Sequence, residues 1–208
     1  MSYGFLDVAV TPSVRAAQAA MGSDGMWQDF KGHREFDKFT PNEVAFIGLR
    51  DSFYMATVSE TGWPYVQHRG GAPGFLKVVD ERTLAFADYR GNRQYISVGN
   101  LAADDRAALI LMDYAGQARL KIYVRIEAVP LDANPDLTAL VAMPGYKAKP
   151  ERILVLHLVA FDWNCPQHIT PRFTEVEIAV AVQPLRDRLS ALEAENAELR
   201  AKLVAKET

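Results

Sequence analysis

The sequence predicts a mainly β protein with peripheral helices: an antiparallel barrel followed by a C-terminal coiled-coil helix. Three observations predict it. Six or seven apolar, β-branched and aromatic segments lie between residues 53 and 161, joined by short turn signals at Glu60-Thr61-Gly62, Asp80-Glu81-Arg82 and Ala115-Gly116-Gln117. Strands joined by such turns pair antiparallel, since parallel neighbours need crossovers of a dozen residues or more. Few helical segments separate the strands, which favours an antiparallel barrel over a parallel sheet covered by helices on both faces. Beyond residue 182 the period changes to alternating steps of three and four, the spacing of a heptad helix.

The elements follow in order. Thr11-Pro12 reads as a cap with proline at the first helical position, and that helix runs to Met21 before Gly22. Residues 23–38 are polar and aromatic without a period and read as an irregular arm. Thr40-Pro41-Asn42-Glu43 is a capping box that opens a second short helix to about Arg50. Phe53–Ser59 and Pro64–Arg69 form the first hairpin, Phe75–Val79 and Thr83–Tyr89 the second, and Arg106–Tyr114 and Arg119–Leu131 the third. Gly70-Gly71-Ala72-Pro73-Gly74 reads as a bulge at a barrel corner rather than a nucleotide fingerprint. Arg93–Leu101 and Pro135–Met143 read as short helices, and Arg152–Phe161 as a last apolar strand containing a satisfied structural histidine, His157. Three segments result: residues 1–40 as an N-terminal helix and arm, 41–173 as the barrel, and 174–208 as the C-terminal helix.

That last helix has Val182, Leu189, Asn196 and Leu203 at heptad position a, and Leu185, Leu192 and Leu199 at d. Asn196 is a polar residue at a, where it sets register and favours two parallel strands. Arg188 would face Glu193 of a partner, and Glu195 would face Arg200. Pro184 is placed at the opening of the helix, because inside it proline costs roughly 3 kcal/mol. A single amphipathic helix packed on its own domain would show the same stripe.

An apolar fraction of 49% supports a sizeable core, and a net charge of −3 lacks the basic excess of a nucleic-acid binder. The longest apolar run, Ile153–Phe161, is too short to span a bilayer. No secretory leader is visible after Met1, and Cys165 is the only cysteine, so the expected location is cytoplasmic. Cys165 reads as a buried, inert thiol. His33, His68, His157 and His168 are scattered, and no spacing resembles a metal site.

The densest chemistry lies in Phe86-Ala-Asp-Tyr-Arg-Gly-Asn-Arg-Gln-Tyr95. A strand ends in two arginines, an asparagine, a glutamine and a glycine where a helix exposes unpaired N–H groups. Such a turn suits a phosphate, through the amides and dipole of the helix start and the planar fork of arginine. An ordinary polar strand-to-helix turn reads the same on this segment alone.

Taken with Arg50-Asp-Ser-Phe-Tyr-Met-Ala-Thr-Val-Ser59, Gly62-Trp-Pro-Tyr-Val-Gln-His-Arg-Gly-Gly71 and Phe161-Asp-Trp-Asn-Cys-Pro-Gln-His-Ile-Thr-Pro-Arg172, this segment resembles the FMN-binding split-barrel superfamily related to pyridoxamine 5′-phosphate oxidase. The resemblance spans about Pro41–Phe173. It implies FMN held at the interface of a homodimer, with Gln67, His68 and Arg69 on the strand beside the isoalloxazine ring. Arg93 and Gln94 match the pair that binds the FMN phosphate, with Asp88, Arg90 and Asn92 in the same motif. The family often has lysine where this chain has Gln94, so Arg90 or Lys121 is expected to supply the charge. Arg119 lies near a position that contributes across the interface.

The stretch Trp163–Arg172 packs Trp163, Asn164, Gln167, His168 and Arg172 around Pro166 and Pro171. It reads as a lid over the flavin, with His168 and Arg172 facing substrate, or alternatively as a hydrogen-bonded crossover into the zipper. The arginine-rich substrate tail of pyridoxamine-phosphate oxidases is not found. The resulting expectation is an FMN-dependent oxidoreductase acting on another small molecule, with NADH or NADPH as reductant and with no nucleic-acid, membrane or metal partner. The alternatives are a deazaflavin- or haem-handling relative, or a non-catalytic flavin-binding or assembly protein that recruits partners through its coiled coil.

Overall fold

Threonine, proline and glycine punctuate the first third of the chain. A computed structural model describes residues 4–27 and 37–206, and the remainder of the expected arm, including His33, lies outside the described residues. Helix α1 (Phe5–Ala9) was not foreseen in the sequence; its Phe5 ring stacks on Tyr123 at 4.6 Å. Helix α2 (Pro12–Ala20) starts where expected, with Thr11 Oγ1 accepting the Val14 N–H, and Gly22 follows in the left-handed conformation at φ +66°. Within the expected irregular arm, Asp24–Trp27 forms one turn of helix, α3. Helix α4 (Pro41–Gly48) carries the expected capping box: the Thr40 N–H donates to Glu43 Oε2 at 2.9 Å.

Seven strands follow: β1 (Ser52–Val58), β2 (Pro64–Gly70), β3 (Lys77–Asp80), β4 (Thr83–Tyr89), β5 (Arg106–Asp113), β6 (Ala118–Val129) and β7 (Pro150–Asn164). Helix α5 (Ile96–Ala103) lies between β4 and β5, and α6 (Pro135–Val141) between β6 and β7. All pairings are antiparallel, in the order β2-β1-β5-β6-β7-β4-β3. In a flat sheet β1 and β4, separated by three strands, would lie about 19 Å apart. Phe53 on β1 and Phe86 on β4 nevertheless stand 5.3 Å apart, ring to ring. The sheet therefore curls upon itself, and β2 and β3 remain as its two unpaired ends, so the barrel is split.

Alternation explains what fills it. Phe53, Met55, Leu84, Phe86, Leu109, Leu111, Leu120, Ile122, Leu154 and Leu156 are buried in one cluster, as residues two apart on one strand face must be. At the corner after β2, a Cβ on Gly71 would lie 2.7 Å from the Phe75 ring, and Gly74 has φ +76°, so close approach and backbone conformation both require glycine there. Asn100 on α5 donates to Thr57 Oγ1 at 3.0 Å, a buried polar pair that fastens the helix to β1.

Three expectations are corrected. Helix α5 begins at Ile96 rather than Arg93, because Arg93 (φ 64°) and Tyr95 (φ 52°) are left-handed and cannot propagate a right-handed turn. His157 is not an enclosed structural histidine; the alternation of β7 turns it outward, 3.9 Å from Glu127. Cys165 is exposed, just beyond the end of β7.

The chain divides into two compact units, Met1–Asp113 with Gln117–Ile169, and Tyr114–Gly116 with Thr170–Thr208. In the second unit the Arg172 guanidinium lies over the Tyr114 ring at 4.9 Å. Helix α7 runs from Glu175 to Val204 and starts nine residues before the proline expected to open it. The Thr174–Glu177 capping box opens it, and Pro184 lies inside. Thirty residues of helix absorb the one backbone hydrogen bond that proline removes. No helix among the described residues is long and apolar enough to cross a membrane.

Candidate functional site

The split in the barrel leaves β2 facing β4 without backbone bonds between them, and side chains close the gap. Gln67 and Arg69 alternate with His68 along β2, so the first two turn to one side and His68 to the other. Arg69 Nη1 donates to Asp88 Oδ1 at 2.6 Å; the two side chains are only 12% and 6% exposed. Pairing of β4 with β7 puts Asp88 opposite Arg152, whose Nε stands 3.6 Å from the other carboxylate oxygen. Ser97, in the first turn of α5, donates to Gln67 Oε1 at 2.9 Å.

Beyond β4 the chain makes an Asx turn: the Gln94 N–H donates to Asn92 Oδ1 at 3.1 Å. Arg93 and Tyr95 flank Gln94 in left-handed conformations, a strained arrangement of the sort that clusters at ligand sites. Glu151 closes the far wall. It accepts from Arg90 Nε at 2.9 Å and from the Tyr95 hydroxyl at 3.0 Å. The Arg90 bond, with that of Tyr95, holds its carboxyl below the usual range. Burial, reinforced by Tyr146, pushes the Tyr89 phenol up.

These groups line a cleft of about 210 Å3 formed by Gln67, Arg69, Asp88, Asn92, Arg93, Ser97 and Glu151 with their neighbours. Four guanidinium groups (Arg69, Arg90, Arg93, Arg152) meet two carboxylates (Asp88, Glu151), which leaves two positive charges in excess. Arg93 has no carboxylate partner among the described residues. The Arg69 Nε is buried with no hydrogen-bond partner. A buried donor left unmade costs about 1–3 kcal/mol, so an acceptor supplied from outside the chain would be stabilised here.

Of the residues singled out in the sequence, the cleft brings together Gln67, Arg69, Asp88, Asn92 and Arg93, with Arg90 and Gln94 at its margin. His68 is packed edge-on to Tyr54 at 5.5 Å, on the other face of β2. Lys121 pairs with Asp162 at 3.1 Å and lies over the Phe5 ring at 4.5 Å, so it stands apart from the cleft. Arg119, also on β6, has a buried Nε with no hydrogen-bond partner. Trp163 lies within β7 and is not part of a loop. Its indole N–H donates to Glu43 Oε1 at 2.6 Å, and its ring meets Phe46 edge-on at 4.7 Å. Asn164 ends β7, Gln167 and His168 are exposed, and Arg172 belongs to the second unit. Trp163, Gln167 and His168 are not among the residues that line the cleft. Sequence reading missed Tyr95, Ser97 and Glu151. A serine one residue inside α5 was the available signal for Ser97, whereas Glu151 is delivered by the β4–β7 register, which no local pattern encodes.

The sequence profile of the family described as pyridoxamine 5′-phosphate oxidase matches residues 39–150, over half of the 208-residue chain. Among solved structures, HupZ from Group A Streptococcus superposes with a TM-score of 0.50 at 13% identity, covering 65% of this chain and 99% of its own. A provisional pyridoxamine 5′-phosphate oxidase from Lactobacillus delbrueckii gives 0.47 at 19% identity, with 62% and 96% covered. An FMN-binding protein from Syntrophomonas wolfei gives 0.45 at 15%, with 74% and 95% covered. At such identities the likeness to HupZ speaks to fold alone. No match was found among curated proteins.

Proposed function

The chain belongs to the pyridoxamine 5′-phosphate oxidase family, and we propose that it is an FMN-dependent oxidoreductase acting on a small molecule other than pyridoxamine phosphate. The observation that carries this reading is the pairing of an orphaned, buried Arg69 Nε with an uncompensated Arg93 in one cleft. These residues fit a flavin nucleotide. Its phosphate needs a cation and amide donors, which Arg93 and the backbone of the Asn92–Ser97 turn would supply. Its ring carbonyls need a donor, which Arg69 or Gln67 would supply.

When bound, the flavin supplies hydride acceptance and return. The protein's own contributions are electrostatic and positional. Asp88 and Arg152 fix the guanidinium of Arg69, so its free N–H is held in one direction before ligand arrives. Fixed donors aimed at developing charge need no reorganisation during reaction. Ser97 fixes the Gln67 amide in the same way, by donating to its oxygen and leaving the NH2 outward. No acid or base on the protein is required for the redox step itself.

The cleft is smaller than the roughly 300–1,000 Å3 of a typical small-molecule pocket. One copy therefore holds part of the flavin, and a second copy supplies the rest, as in a homodimer that shares two cofactors across its interface. A nicotinamide nucleotide, NADH or NADPH, serves as reductant in this reading.

An absorption spectrum of the purified chain, before and after incubation with FMN and gel filtration, tests the proposal. Flavin bands that travel with the protein and are released as FMN on denaturation support it. Protein that stays colourless after FMN overturns it, and haem or deazaflavin bands would replace FMN by those cofactors. Consumption of NADH or NADPH with an added acceptor then separates an enzyme from a flavin carrier.

A further inference from the structure

Helix α7 presents an apolar stripe to solvent along most of its length. Leu185 is 70% exposed, Leu192 43% and Leu203 63%, and the other leucines of the heptad are comparably open. A helix with so much exposed leucine in register is unpartnered as it stands. We infer that this stripe binds the same stripe of a second copy in a parallel, in-register, two-stranded coiled coil.

The occupant is chosen by charge. At position e the helix reads Arg186, Glu193, Arg200, and at g it reads Arg188, Glu195, Lys202. Both rows run plus, minus, plus. In a parallel pair each g residue faces the e residue five positions on in its partner, so Arg188 meets Glu193 and Glu195 meets Arg200, opposite in sign both times. In an antiparallel pair e faces e and g faces g. Leucine layers would then match Leu189 with Leu199 and Leu185 with Leu203. That alignment puts Arg186 against Arg200, Glu193 against Glu193, Arg188 against Lys202 and Glu195 against Glu195. Every contact in that alignment is repulsive, but sliding one copy by a heptad sets Arg186 against Glu193 and Arg188 against Glu195, so charge excludes the first antiparallel alignment and Asn196 decides against the second.

Asn196 gives an independent argument. In the parallel pair it meets Asn196 of the other copy, and two amides satisfy each other across the seam. Antiparallel pairing would bury it against Leu192, or against Leu185 after the slide, in both cases without a partner. Pro184 falls at heptad position c, away from the seam, so its missing N–H and bulky ring do not disturb the interface.

This inference does not rest on the flavin. It is tested on the full chain with Cys165→Ser as background. Leu199→Cys places a thiol at a d position, where it faces itself only in the parallel register. Ala194→Cys, at outward-facing f, controls for random collision. Under mild oxidation the Leu199→Cys chain should form a disulfide dimer on the order of 100-fold faster than the control, as millimolar effective concentration against about 10 μM protein implies. Equal rates overturn the proposal. So does a disulfide formed between Leu185→Cys and Leu203→Cys chains, which only antiparallel pairing brings together. A second measurement guards against loss of folding: Glu193→Lys with Glu195→Lys, on the exposed face, should abolish cross-linking through Leu199→Cys while the barrel's far-ultraviolet dichroism is retained. Cross-linking that persists in that variant also overturns the proposal. FMN binding with no cross-link would leave the flavin reading standing and remove only this one.

Discussion

Arg69 and Asp88 meet at 2.6 Å across strands β2 and β4, which share no backbone hydrogen bonds. The pair is nearly enclosed, and Arg152 braces its carboxylate from a third strand, β7. One ion-paired cluster thus joins the edge strand β2 to the far side of the curled sheet and forms the floor of the cleft.

Removing one member of this cluster leaves an uncompensated buried charge. Asp88→Ala should lower unfolding free energy by about 3–5 kcal/mol, read from urea denaturation. A loss below about 1 kcal/mol would show the seam to be solvated and loosely held.

Arg93 combines an unpaired charge with a left-handed backbone. Arg93→Gly keeps the conformation comfortable and removes only the guanidinium. FMN affinity should fall about 10–100-fold, the worth of a charged hydrogen bond of about 1.5–3 kcal/mol, with thermal stability unchanged or slightly raised. Titration of the stripped protein with FMN, followed by fluorescence quenching, measures this. Unaltered affinity would remove Arg93 from the phosphate site.

Trp163 separates a structural role from that of a lid. Trp163→Phe retains most of the ring packing on Phe46 but deletes the donor to buried Glu43. Stability should drop by about 1.5–3 kcal/mol while FMN affinity stays within twofold of the parent. Loss of affinity at full stability would restore the lid.

Acid sensitivity has a local source in Asp104. The hydrogen bond from Arg106 lowers its carboxyl from 3.8 to about 2. A depressed carboxyl contributes stability that is complete above its unfolded value and fades as pH falls through the folded one. Between pH 4 and pH 2 the parent should therefore lose stability faster than Asp104→Asn, seen as converging urea midpoints. Parallel curves would mean that this exposed pair carries no net linkage.

The fold was largely legible because its punctuation is local. The turn triplets and the Thr40 capping box sit where the strands and α4 change direction, and each works through its own few residues. The site was only partly legible. Arg93 and Asn92 announce themselves by density of polar groups in one turn. Glu151 and the brace from Arg152 come from β7, some sixty residues away, and the register that delivers them is a property of the whole sheet. His68 shows a different failure: the two-residue period of β2 already separates it from Gln67 and Arg69, and grouping the three by adjacency overrode that geometry. Pro184 misled for an energetic reason, since a single lost bond is small beside a long helix with its own cap upstream.

The strand order carries a consequence for how the chain acquires its form. β1 finds β5 only when Tyr54 reaches Ile110, and β4 finds β7 only when Thr83 reaches His157. Half of the strand pairings, these two and that of β6 with β7, are therefore made between segments not joined by a hairpin, which slows the search for the native topology. During synthesis, β4 and its hairpin partner β3 must wait, with one edge unsatisfied, until β7 has emerged. Nascent chains halted before residue 150 should accordingly be the most protease-sensitive and the most dependent on chaperones, and their rescue should coincide with release of Asn164.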